Sequence, residues 1–165
     1  MEYIIKGDNL PVLICKLKKG EVLKTESGAM IWMSPNIKME TVAGGVNKMI
    51  GRVMTGEPAF QNKYTALEDD EEIAFGSCFP GSIIPFEIDE DHPIIVQKKG
   101  FLAGTSKIEL SVFVNKKIGS GLFGGEGLFF ATVTGPGKII LQTMPISSLT
   151  DSIYEYLPKE EPKGE

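Results

Sequence analysis

Residues 119–124 form a glycine-rich segment whose spacing matches GxGxxG, a pattern that can bind a dinucleotide. In a dinucleotide-binding protein this spacing follows a strand and opens a helix, because the helix N-terminus binds the pyrophosphate. Here Gly125-Glu126-Gly127 follows, and then another run typical of a strand, with no helical segment between them. We therefore predict a glycine-rich connection between strands and no bound cofactor.

His92 is the only histidine of the chain and lies in the polar segment 89–93. A serine-histidine-aspartate triad would need this imidazole on a rigid element beside a nucleophile, and a zinc site would need more histidine and cysteine. The two cysteines, Cys15 and Cys78, are far apart and form no CxxC pair. The sequence predicts a solvated turn histidine, buried thiols, no catalytic residue and no metal site.

Two glutamates occupy corresponding places: Glu57 and Glu126 each follow a glycine and come just before a strand. As paired carboxylates they could act as general acid and base in a shared site. Alternatively, each carboxylate accepts backbone N–H bonds and fixes the shape of a tight loop. We favour the structural interpretation, and the loop residues that it concerns are Glu57, Glu126, Gly124, Gly125 and Gly127. On this interpretation, glutamine in place of either glutamate lowers thermal stability and abolishes no activity.

The charge of the chain argues against a nucleic-acid partner. There are 22 acidic and 17 basic side chains, a formal net charge of −5 and a single arginine, Arg52. A nucleic-acid binder needs lysine and arginine gathered on one face, whereas the lysines here stand in scattered pairs. The acidic runs 68–72 and 87–91 lack the spacing of a calcium loop, and we predict that they are solvated hairpin turns.

Strands must position these residues, because 19 glycines and 10 prolines divide the 165 residues into short stretches rich in Ile, Val, Phe and Thr. Residues 37–41 and 108–115 alternate apolar and polar side chains, as half-buried strands do. The predicted strands are residues 2–6, 11–17, 21–26, 29–33, 37–41, 59–66, 72–76, 82–87, 93–98, 108–115, 128–133 and 138–142. Their number and spacing predict an all-β, jelly-roll-like sandwich.

The C-terminal part predicts one short helix, over residues 146–157, because apolar side chains recur there at steps of three and four and Pro158 ends the pattern. Residues 159–165 are predicted to be a disordered tail, and 46–54 to form a second short helix. No apolar run approaches the ~20 residues that a bilayer span needs, and the N-terminus has no signal-peptide pattern. We expect a cytoplasmic protein without a membrane span.

The chain also repeats itself at intervals of about 70 residues. The matching pairs are Gly28 and Gly100 and Leu23 and Ile95 at an offset of 72, Ile37 and Ile108 and Met39 and Leu110 at 71, and Thr65 and Thr134 at 69. This pattern predicts one compact domain, residues 1–158, made of two similar units of about 1–76 and 77–143 that pack together, with the helix 146–157 added.

Five segments together carry a family resemblance: residues 26–33, 79–83, 97–103, 122–129 and 134–137. They resemble the altered-inheritance-of-mitochondria (mitochondrial biogenesis) family, in its uncharacterised prokaryotic branch, from Met1 to about Pro158. The resemblance implies a fold similar to the tryptophan RNA-binding attenuation protein, with duplicated short double-stranded β-helix units prone to ring-like assembly. It implies neither catalytic residues nor a cofactor. Family members carry an additional repeat, so this chain looks like a two-unit version.

Three hypotheses for function follow. The first is a non-enzymatic, intracellular β protein that self-associates into a homo-oligomer and acts as a scaffold or adaptor for protein partners. The second, by fold analogy, is an RNA-binding ring with Lys98, Lys99, Lys116 and Lys117 on its edge and with Phe101 and Phe113 as stackers; we expect no such binding. The third is a small-ligand or carboxylate-based metal site that uses Glu57, Glu126 and His92.

Overall fold

The structure is a computed structural model, and it describes residues 1–26, 28–43, 60–77, 79–97, 99–114 and 129–144, with Leu149, Ile153, Tyr156 and Leu157. The described residues form thirteen strands, and every pairing among them is antiparallel. They are β1 (Glu2–Lys6), β2 (Val12–Leu17), β3 (Val22–Glu26), β4 (Met30–Met33), β5 (Ile37–Ala43), β6 (Phe60–Ala66), β7 (Glu71–Gly76), β8 (Ile83–Ile88), β9 (Ile94–Gln97), β10 (Phe101–Thr105), β11 (Glu109–Val114), β12 (Phe129–Thr134) and β13 (Gly137–Gln142).

The predicted all-β fold is confirmed, and each of the predicted strands is present with ends within two residues of the prediction. One strand was missed. Strand β10 is buried at four successive residues from Phe101 to Gly104, so it shows no alternation, and Gly100 and Gly104 are typical of a loop. Leu149 and Ile153 are helical. The rest of the helix predicted at 146–157, the helix predicted at 46–54 and the tail at 159–165 lie outside the described residues.

The strands form three sheets whose order repeats. The four-stranded sheet has the order β1-β2-β7-β4, the six-stranded sheet β5-β6-β3-β10-β13-β8, and the three-stranded sheet β11-β12-β9. The group β2-β7-β4 corresponds to the group β8-β13-β10, in which each strand lies six places later in the chain. In the same way, β5-β6-β3 corresponds to β11-β12-β9. This order is what two copies of a six-stranded unit would produce, joined through the pairing of β3 with β10. The unit boundaries at residues 76 and 77 stay a prediction.

Local details also recur at an offset of 71 residues. Strand β4 is bulged between Met30 and Trp32 where it pairs with β7, and β10 is bulged between Phe101 and Ala103 where it pairs with β13. The backbone N–H of Ile37 donates to the carbonyl oxygen of Ser34 at 3.2 Å, and Ile108 donates in the same way to Thr105 at 3.1 Å. Ile37 and Ile108 therefore correspond, at the offset that the sequence predicts.

The offset of 72 predicted for the preceding stretch is wrong by one residue. The carbonyl oxygen of Ala29 accepts the N–H of Gly76, and that of Gly100 accepts the N–H of Gln142, so Ala29 corresponds to Gly100. Gly28 then corresponds to Lys99, and both have positive φ, 93° and 64°. The pairing of β3 shows the same shift. Leu23 pairs with Tyr64, and the residue that corresponds to Tyr64 at the offset of 69 is Val133. Val133 pairs with Ile94 and not with Ile95, so Leu23 corresponds to Ile94. Identical residues gave the wrong offset here, because equivalent positions are set by strand pairing and not by residue identity.

Two buried clusters fill the molecule. The first contains Tyr64 and Phe75, whose rings pack edge to face with centroids 5.7 Å apart, and aliphatic residues such as Leu13 and Leu102. The second lies between the last strands of the chain and includes Ile108 and residues of β9, β10, β12 and β13. Within the described ranges we find no helix with the length and apolar character needed to cross a membrane.

Candidate functional site

The loop residues that the sequence singles out, Glu57, Glu126, Gly124, Gly125 and Gly127, lie outside the described residues, as does the whole of the segment 119–124. Their structural interpretation therefore stays a prediction. The described part of the chain holds no group of three or more His, Cys, Asp and Glu side chains that could bind a metal ion.

His92 lies in an exposed turn, as predicted. Its Nδ1 is 2.7 Å from Oδ1 of Asp89, and the same carboxylate oxygen accepts the backbone N–H groups of Asp91 and His92. The His92 side chain and these two N–H groups hold the pKa of the Asp89 carboxyl below its usual value. The arrangement is an Asx-type turn that leads into β9.

The acidic run 68–72 is only partly the solvated turn that the sequence predicts. Asp69 accepts the backbone N–H of Lys19, and Asp70 has a φ of +61° at the turn. Glu71, by contrast, begins β7 and is buried, with its Oε1 accepting a hydrogen bond of 3.0 Å from Asn36. The prediction was wrong for Glu71 because an amide from a neighbouring loop satisfies the carboxylate inside the fold.

The residues named for RNA binding do not form a stacking surface in the described part of the chain. Phe101 is 3% exposed and belongs to the second core cluster, so this candidate side chain is not available to stack on a base. Lys99 forms an ion pair of 3.2 Å with Glu26. Lys98, Lys116 and Lys117 lie outside the described residues, and the Phe113 side chain does too.

Cys15 is a free, fully buried thiol on β2, which confirms the predicted burial for this cysteine. Burial raises the pKa of this thiol to about 12. At neutral pH a thiol with such a pKa stays protonated, and the protonated form is a poor nucleophile. Cys78 lies outside the described residues.

The feature that sets this surface apart is where its exposed apolar side chains stand. Among the described residues, every exposed large hydrophobic side chain that belongs to a strand stands on the edge strand of a sheet. These side chains are Ile4 and Ile5 on β1, Ile31 and Trp32 on β4, Met39 on β5, Ile84 and Phe86 on β8, and Ile95 on β9. Among the described strands each of these edge strands has a neighbour on one side only, and it carries exposed apolar side chains, which sequence reasoning did not find because it cannot tell edge strands from inner ones.

The edges differ in how well they are protected against pairing. Charged residues and proline discourage another strand from adding to an edge. Such residues occur on β1 (Glu2, Lys6), β5 (Lys38, Glu40), β8 (Pro85, Glu87) and β11 (Glu109). Strand β4 reads Met-Ile-Trp-Met and strand β9 reads Ile-Ile-Val-Gln, with neither a charge nor a proline. Of the six edge strands that the structure describes, these two are the ones without a charged residue or a proline, and both are only four residues long.

Ile31, Trp32 and Ile95 are 54%, 41% and 63% exposed at these two edges. The Ile31 side chain lies over Gly76, where a Cβ would collide with its Cδ1, so part of it is already packed. Covering the remainder of each of the three side chains would stabilise an assembly by about 1 kcal/mol each, since full burial of such a side chain contributes about 1.5–3 kcal/mol.

The comparisons with known proteins agree with the sequence resemblance. The family described as mitochondrial biogenesis AIM24 matches residues 3–156. An uncharacterised protein of Streptococcus pyogenes serotype M6 is 27% identical over an alignment of 149 positions, which covers 83% of this chain and 58% of that protein. The crystal structure of another Streptococcus pyogenes protein has the same fold, with a TM-score of 0.66 at 21% identity over 87% of this chain and 64% of that one. The chain thus spans about three fifths of the length of each relative.

Proposed function

This chain belongs to the mitochondrial biogenesis AIM24 family, and we propose that it is a self-associating β-sheet protein that serves as a scaffold for protein partners, without an enzymatic activity of its own. The observation that carries the proposal is the position of the exposed apolar side chains on edge strands. Soluble monomers usually protect such edges with charge, proline or a covering loop, because an exposed apolar edge pairs with other chains.

Self-association places a strand of a neighbouring copy beside these edge strands. A neighbouring copy supplies a second strand neighbour, which these edge strands lack among the described strands, and cover for their apolar side chains. The acidic net charge of −5 keeps such an assembly soluble and discourages unspecific contacts between copies.

Light scattering over a wide range of protein concentrations tests the proposal. We expect a molar mass that is a multiple of the 18.0 kDa of one chain. A mass of one chain at every concentration would contradict self-association and remove the proposal.

The small-ligand alternative is separated by elemental analysis of the purified protein. We expect no stoichiometric transition metal. About one metal ion per chain, lost in Glu57→Gln or Glu126→Gln while the far-ultraviolet circular dichroism is unchanged, would favour a metal-dependent function instead.

A further inference from the structure

The pairing of β3 with β10 joins two similar groups of strands within the chain. In that pairing Ala103 lies opposite Thr25, Gly104 opposite Lys24 and Thr105 opposite Leu23. It joins the edge of one three-stranded group, β5-β6-β3, to the edge of another, β10-β13-β8. By the repeated strand order, β10 corresponds to β4 and β3 corresponds to β9.

Strands β4 and β9 are the two counterparts that the described chain leaves without this pairing. Both are edge strands, and they are the two edges that carry neither a charge nor a proline. We propose that β4 of one copy of this chain pairs with β9 of a second copy, antiparallel, in the way that β10 pairs with β3 within each copy. This inference rests on the proposed self-association and names the surfaces that carry it.

Burial at corresponding positions shows what the pairing does. The bulge in each strand makes Ile31 correspond to Leu102 and Trp32 correspond to Ala103. Leu102 and Ala103 are fully buried beside β3, whereas Ile31 and Trp32 are about half exposed. A strand laid beside β4 as β3 lies beside β10 would cover the exposed half of both side chains.

The same correspondence fixes the register of the contact. An offset of 71 residues places β10 on β4, because both the bulges and the hydrogen bonds of Ile37 and Ile108 follow it. It also places β3 on β9, since Leu23 pairs with Tyr64 and Ile94 pairs with Val133. In the contact between copies Trp32 therefore lies opposite Val96, Met33 opposite Ile95 and Ser34 opposite Ile94.

The contact is of the head-to-tail kind, because one copy contributes β4 and the other contributes β9. A pair of copies therefore presents one remaining β4 edge and one remaining β9 edge and can bind a further neighbour on either side. Such contacts close into a ring when the rotation between copies allows it, and otherwise continue as a filament.

A charged residue on β9 tests the proposed contact between β4 and β9, because loss of this contact lowers the molar mass of the assembly. Ile95 is largely exposed, so Ile95→Lys leaves the fold of a single chain intact and places an ammonium group where Met33 of the neighbour must pack. We expect light scattering to show a shift from the assembled mass to the 18.0 kDa of one chain. Ile84→Lys on β8, an edge strand interrupted by Pro85, is the matched control and should leave the assembly unchanged.

Cysteine cross-linking tests the register and does not depend on how the lysine variant folds. Met33→Cys protein and Ile95→Cys protein, each in a Cys78→Ser background, are mixed and oxidised. Residues opposite each other in an antiparallel pair have Cα atoms about 4.5–5.5 Å apart, within the range of a disulfide. We expect disulfide-linked dimers that contain one chain of each kind, and far fewer when Met33→Cys is mixed with Phe86→Cys.

The outcomes separate the two proposals. An assembled wild-type protein whose mass is unaffected by Ile95→Lys, and whose Met33→Cys and Ile95→Cys chains do not cross-link, would overturn the β4–β9 contact while self-association stands. A wild-type protein that is a single chain at all concentrations would overturn both.

Discussion

The Nζ of Lys24 donates a hydrogen bond of 2.8 Å to the backbone carbonyl oxygen of Ile108, across the pairing of β3 with β10. The two residues are far apart in the sequence, and the bond links the edge of one strand group to the loop that follows β10 in the other. Because this lysine is partly buried, its bond is better shielded from water than those of the surface lysines.

Lys24→Met tests this bond. Methionine keeps the apolar stem of the side chain but removes the donor, so we expect the free energy of unfolding to fall by about 1–2 kcal/mol in urea titrations. Lys16→Met is the control, since Lys16 pairs at 2.9 Å with the exposed Asp70, and it should lower the stability much less because solvent screens this pair. Equal losses in the two variants would contradict a special role for Lys24.

Gly135→Ala tests the turn between β12 and β13. Gly135 has a φ of 96°, and a Cβ at this position would collide with the backbone carbonyl oxygen of Lys107. The backbone strain and the collision together should lower the free energy of unfolding by about 2–3 kcal/mol, measured by thermal unfolding. Gly20→Ala carries the strain of a φ of 81° without any neighbour within 4 Å, so it should cost only about 1 kcal/mol. If Gly20→Ala lost as much stability as Gly135→Ala, the backbone strain at positive φ, and not the collision with Lys107, would explain the loss.

The thiol of Cys15 should be inert in the folded protein. In a Cys78→Ser background at pH 8, we expect no reaction with an aromatic disulfide reagent over minutes, because burial raises the pKa of the thiol to about 12. Full reaction is expected once guanidinium chloride unfolds the chain. Rapid reaction without denaturant would mean that β2 opens far more readily than its place in the first core cluster implies.

Stability should fall in acid partly through Glu21. Partial burial acts to raise the pKa of this carboxyl, but the backbone N–H of Lys18 at 2.8 Å and the N-terminal ammonium of Met1 at 2.7 Å outweigh it, so the pKa is lowered. A carboxyl whose pKa is lower when folded stabilises the protein above its unfolded pKa of about 4.3, and this stabilisation is lost as the pH falls through the folded value.

Glu21→Gln should therefore be less stable than the wild type at pH 7, by at most about 1 kcal/mol because solvent screens the partly exposed carboxyl. Urea titrations at pH 7 and pH 3 should show this difference shrinking as the wild-type carboxyl becomes protonated. A difference of the same size at both pH values would contradict the linkage.

The sequence predicts most of the fold because glycines and prolines separate short stretches rich in Ile, Val, Phe and Thr, and because strands such as β2 and β3 alternate buried with partly buried or exposed side chains. Strand β10 escaped prediction because it is an inner strand covered on both sides, and its glycines permit the close packing that hides it. The repeat was visible, but its offset near Leu23 was wrong by one, since identical letters can lie one residue away from the structurally equivalent position.

The candidate site was less predictable. Trp32 and Ile95 look like ordinary strand residues in the sequence, and their exposure depends on which strands flank β4 and β9. Sheet order joins segments far apart in the chain, so no local pattern reports it. Phe101 shows the converse error: an aromatic residue beside lysines suggested a stacking surface, and the structure buries it.

The equivalence of β10 and β4 has a consequence for refolding. Val12 on β2 pairs with Gly76 on β7, and Thr25 on β3 with Ala103 on β10, so long stretches of chain must be closed before either pairing forms. Folds dominated by such non-local pairings fold slowly. During that time the edge of β3 can meet either β10 of its own chain, at an effective concentration set by the linking segment, or an equivalent edge of another chain. Dilution therefore favours the native junction, and the yield of correctly folded chains falls as the protein concentration during refolding rises.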